Sequence, residues 1–86
     1  MGTMANKRRR LGWIIANPLT EFYETRAYDS LVFIEHDNQT ALKTRAATLM
    51  YINRHYMRLT TMVRDNEIWI FKRKDIFGHS MTVDLR

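Results

Sequence analysis

A chain of 86 residues has room for one small domain, and the absence of cysteine excludes a disulfide scaffold, a thiolate metal site and a cysteine nucleophile. Apolar residues form 45% of the chain beside three glycines and one proline, a balance that favours a packed core over intrinsic disorder. The net charge of +5 argues for an anionic partner or a charged binding surface.

That charge is laid out in blocks. Residues 1–12 carry Lys7, Arg8, Arg9 and Arg10 without an acid. Residues 13–40 carry Glu21, Glu24, Asp29, Glu35 and Asp37 against Arg26 alone. Residues 41–60 carry Lys43, Arg45, Arg54 and Arg58, again without an acid, and Lys72, Arg73 and Lys74 form a further basic cluster. Segregation of this kind marks a surface that recognises charge.

In chain order, residues 1–3 read as an expression remnant before the natural start at Met4, and residues 1–10 as a flexible basic arm. Residues 11–86 read as a single globular domain. The apolar stretch over residues 11–16 predicts a short strand, with Trp13 and Ile15 on one face and Ile14 and Ala16 on the other. Asn17-Pro18 should end it, because proline cannot donate to a ladder. Residues 19–29 fit either a helical turn or an extended arm. Residues 30–36, SLVFIEH, are rich in β-branched and aromatic residues and predict a buried strand.

Asp37-Asn38 then offers a helix cap, and residues 39–58 predict the single long helix. At 100° per residue, Ala41, Leu42, Ala46, Leu49, Met50, Ile52, Tyr56 and Met57 fall on one arc, which is expected to face the core. Lys43, Thr44, Ala47, Thr48, Tyr51, Arg54, His55 and Arg58 fall on the other. Arg45 intrudes on the apolar arc, and it must either extend to solvent or pair with an acid such as Glu35. Residues 60–74 predict a hairpin turning at Asp65-Asn66, and Gly78-His79 breaks the chain once more. Over residues 80–86, Met81, Val83 and Leu85 alternate with polar positions as a half-buried strand requires. The expected fold is α+β: one long helix on one face of a small, mostly antiparallel sheet, in the order β-β-α-β-β-β.

No catalytic constellation emerges. His36, His55 and His79 are widely separated and lack metal-ligand spacing, and Glu21 and Glu24 have no partner group implying a cleft. Neither a cofactor nor a metal is expected, and the chain is expected to be non-enzymatic.

Binding features are stronger. Lys43, Arg54 and Arg58 share one helical stripe with Tyr51 beside them, and arginine donates bidentate hydrogen bonds to phosphate. Together with Lys7, Arg8, Arg9 and Arg10 they predict a nucleic-acid-binding regulatory protein, with DNA favoured over RNA as the ligand. The alternative is a protein-interaction module, such as a phage-type inhibitor or modulator docking on a larger host protein. Its contact would be the acidic block, Glu21, Glu24, Asp29 and Glu35, or an apolar sheet face bearing Trp69 and Phe71. Both faces of IWIF are apolar, so a homodimer would account for a sheet face that one helix leaves bare. No apolar run reaches membrane-span length, no signal-peptide core follows the basic arm, and a cytoplasmic location is expected.

Overall fold

In the computed structural model, which describes residues 11–73, 76 and 78–86, the first element is a helix and not the expected strand. Helix α1 spans Leu11–Glu24 and carries Pro18 inside it. An interior proline removes one hydrogen bond and crowds the preceding turn, at a cost of about 3 kcal/mol. Against this, Ile15, Leu19 and Phe22, spaced four and three apart, are all fully buried. Each contributes about 1.5–3 kcal/mol, so packing outweighs the proline. Thr25 N–H still donates to Glu21 O at 3.0 Å as the helix ends.

Strand β1 spans Ser30–Ile34, and helix α2 spans Asn38–Arg54. Asp37 caps α2 as expected: its backbone is extended and its Oδ1 accepts the Thr40 N–H at 2.7 Å. The helix stops four residues earlier than the sequence suggests. Tyr56 adopts φ +54°, its N–H donates to Asn53 O at 3.4 Å, and Met57 N–H donates to Ile52 O at 3.0 Å. These two bonds satisfy carbonyls that the helix end leaves open, the pattern of a left-handed C-terminal cap.

The expected hairpin is present as β2, Thr60–Arg64, and β3, Glu67–Phe71, with Asp65 at φ +58° in the turn. Strand β4 spans Ser80–Asp84. The sheet order is β2-β3-β1-β4, with antiparallel pairs except for parallel β1 and β4. The class is therefore mixed α+β, but the described residues hold two helices where one was expected, and their order is α-β-α-β-β-β.

Leu31 and Phe33 of β1, Ile68 and Ile70 of β3, and Leu85 join Ile15, Leu19, Phe22, Ala41 and Ile52 in one core. The alternate positions Met62, Trp69, Val32 and Thr82 are aligned across the four strands and form the opposite sheet face.

Helix α2 presents a different face to this core from the one its apolar arc predicts. Leu42 and Met50, assigned inward, are 50% and 61% exposed, and Ala46 is exposed as well. Thr44 and Thr48, assigned outward, are fully buried. The cause lies at the end of β1, where the fully buried Glu35 requires a donor. Thr44 Oγ1 donates to Glu35 Oε2, and Thr48 Oγ1 donates to Thr44 O at 2.8 Å. Glu35 Oε1 has no hydrogen-bond partner among the described residues. Asn66 secures the Glu35 backbone, donating from Nδ2 to Glu35 O at 2.8 Å and accepting the Glu35 N–H at 2.9 Å. The Thr44 hydroxyl, donating to one oxygen of the buried Glu35 carboxyl, thus holds this face of α2 inward. Glu35 does not pair with Arg45, which is half-buried.

Candidate nucleic-acid interface

The rotation of α2 leaves an outward face without a single acid. Lys43 and Arg54 are exposed and stand eleven residues apart, which is three turns and about 16 Å along the axis. Arg58 is exposed just beyond the helix, and its N–H donates to Tyr23 Oη at 3.4 Å, which ties it to the end of α1. Among the described residues, the one ion pair is Arg86 with Asp84 at 2.9 Å. Lys43, Arg54 and Arg58 therefore hold no carboxylate within ion-pair distance, and their charge is open to an external anion.

Tyr51, expected beside this stripe as a further donor, is half-buried at the joint between the helices. Its Oη lies 3.3 Å from Thr20 Oγ1, and its ring is 4.1 Å from that of His55. With Ala47, Met50 and Arg54 it lines a shallow hollow of about 220 Å³. Lys7, Arg8, Arg9 and Arg10 lie outside the described residues.

The alternative contact residues differ in exposure. Glu21 and Glu24 are exposed on α1. Glu35 is sealed from solvent and cannot touch a partner. Asp29 is half-buried and accepts the His79 N–H on Oδ2 at 3.3 Å. On the second sheet face, Phe71 is only 5% exposed and stacks with Trp69, their ring centres 6.1 Å apart. The Trp69 indole N–H donates to Glu67 Oε1 at 3.0 Å. A ring so enclosed as Phe71 presents no free face for a base to stack on.

Two exposed acids have their carboxyls held low. The Thr40 backbone N–H, followed by the Thr40 side chain, lowers Asp37, and the Arg86 side chain brings Asp84 down to about 2. His36 follows β1, His55 caps α2 and His79 precedes β4; no three His, Asp or Glu side chains gather as a metal set among the described residues. Nor is any described helix long and apolar enough to cross a membrane.

One grouping was not foreseen from the sequence. Arg26, Tyr28, Asp29, Lys72, Arg73 and Ile76 meet around a cleft of about 440 Å³. Lys72 and Arg73 stood out as a basic cluster, but Arg26 looked like a lone base in an acidic block. The pairing of Ser30 with Phe71 in the sheet brings the two segments together.

The chain matches no protein-family model, curated protein or solved structure.

Proposed function

We propose that this protein is a non-enzymatic nucleic-acid-binding regulator that grips phosphates along the outer face of α2. The observation that carries the reading is the acid-free line of Lys43 and Arg54, extended by Arg58, each exposed and without an ion-pair partner among the described residues. A separation of about 16 Å allows the two helix cations to reach phosphates on either side of a groove about 12 Å wide. The basic run Lys7, Arg8, Arg9 and Arg10 adds charge that would follow the backbone with little sequence preference. DNA is the favoured ligand.

The combined variant Lys43→Ala, Arg54→Ala and Arg58→Ala tests this. Binding should weaken to a similar degree on duplexes of unrelated sequence, while Glu21→Gln with Glu24→Gln should not weaken it. Unchanged affinity in the triple variant would remove the support for this reading.

One observation favours a second reading. Leu42, Ala46 and Met50 form an exposed apolar ridge along α2 beside those same cations. Such a ridge suits an amphipathic acidic segment of a protein partner, whose carboxylates would meet Lys43 and Arg54. Loss of partner capture on Leu42→Ser with Met50→Ser, with nucleic-acid binding intact, would favour it.

A further inference from the structure

The cleft between the end of α1 and the end of β3 has the composition of a phosphate-ester site. Among the described residues, three of its side chains, Arg26, Lys72 and Arg73, are cationic, and Asp29 is the one acid. That acid is engaged elsewhere: Oδ2 accepts the His79 N–H, and the carboxylate packs so tightly on Gly78 that an added Cβ would lie 1.8 Å from it. Lys72 is likewise committed, with Nζ donating to Thr25 O and lying 4.7 Å from the Phe22 ring centre. Arg26 and Arg73 remain, both exposed and both without a carboxylate partner among the described residues.

Backbone bonds hold the walls of the cleft. Asp29 N–H donates to His79 O at 2.8 Å, Lys72 N–H to Asp29 O at 3.5 Å and Ile76 N–H to Arg73 O at 3.3 Å. These bonds fix the backbone around the cleft, which lowers the ordering cost of binding. Beside Thr25, its described walls include Tyr28, 37% exposed, and Ile76, 42% exposed, an aromatic ring and an aliphatic chain suited to a planar group. A volume of about 440 Å³ falls in the range of small-molecule sites and exceeds what a bare phosphate would fill.

We propose that this cleft binds a nucleotide unit, its phosphate held by Arg26 and Arg73 and its base laid against Tyr28 and Ile76. The phosphate ester is the recognised chemistry, and it can come from a free nucleotide or from a strand. The site stands on its own geometry and does not require polymer binding by α2.

Calorimetric titration of the full chain with AMP, adenosine, inorganic phosphate and a 5′-phosphorylated dinucleotide tests the proposal. AMP should bind about tenfold more tightly than adenosine or inorganic phosphate, because charge-assisted bonds and ring contact act together. Arg26→Ala and Arg73→Ala, both at exposed positions, should each weaken AMP by about fivefold or more with unchanged circular dichroism. Arg54→Ala on α2 should leave AMP unaffected. A dinucleotide that binds more tightly than AMP assigns the phosphate to a strand, and equal affinities assign it to a free nucleotide; either result upholds the cleft. Equal binding of AMP and adenosine, or indifference to both arginine substitutions, would overturn it. If the α2 variants leave DNA binding unchanged while AMP binding persists, the cleft stands without the polymer reading.

Discussion

Replacing Thr44 with valine should destabilise this fold far more than its small change in shape suggests. Thr44 Oγ1 is the one donor that the fully buried Glu35 side chain has among the described residues, since Glu35 Oε1 is already without a partner. Valine keeps the volume and β-branching but leaves the whole carboxyl without a hydrogen bond. A lost bond to a buried carboxyl costs about 1.5–3 kcal/mol. In a domain of this size that corresponds to a melting point lower by roughly 6–24 °C, at 4–8 °C per kcal/mol. Thr44→Ser keeps the hydroxyl and loses one methyl group, for about 0.8 kcal/mol. Urea denaturation followed by circular dichroism measures all three proteins, and adding Glu35→Leu to each completes a double-mutant cycle. The coupling energy should be about 1.5–3 kcal/mol, with Glu35→Leu recovering much of the valine deficit. Equal stability of the valine and serine variants would refute the assignment of Thr44 as the donor that orients α2.

The exposed ridge of α2 gives the complementary result: Leu42→Ser with Met50→Ser should change stability by less than about 1 kcal/mol in the same assay, where core positions would cost 2–5 kcal/mol each. Gly78→Ala combines a positive φ with a clash on Asp29, and a thermal melt should show a loss of about 1–3 kcal/mol. Asp37 and Asp84 have folded-state values below the ordinary 3.8, so the stability they supply is present above that pH and is lost as pH falls, for Asp84 toward about 2. Asp37→Asn should keep the cap at neutral pH and show a smaller acid-induced loss in a pH series of denaturant melts; an identical acid profile would count against the cap's charge.

What could be read from the sequence was what local chemistry decides. The Asp37 cap, the Asp65-Asn66 turn and the alternation of Met81, Val83 and Leu85 are short-range signals, and each appears in the fold. Helix α1 was misread because Asn17-Pro18 is a stop signal in most contexts. The spacing of Ile15, Leu19 and Phe22 across that proline was the evidence for a helix, and it depends on a core supplied by distant strands. The face of α2 was misread for a related reason. Apolar count favoured Leu42 and Met50, whereas a buried carboxyl from another element takes its hydrogen bond from Thr44. Of the candidate site, the cations on α2 were legible because helical spacing aligns them. The cleft was not, since Arg26 and Arg73 meet only through the pairing of β1 with β3.

If cations of the arm and of α2 neutralise phosphates as proposed, a salt titration of DNA binding will register them. The full chain is compared with one lacking residues 1–10 on the same duplex. Each phosphate contacted adds about −0.9 to the slope of log affinity against log salt, so removing the four arm cations should shallow it by about 3 to 4. We expect micromolar or tighter binding at near-physiological salt, with that change in slope. Binding that vanishes at this salt, or a slope that does not respond to loss of the arm, would rule out phosphate contacts by these cations.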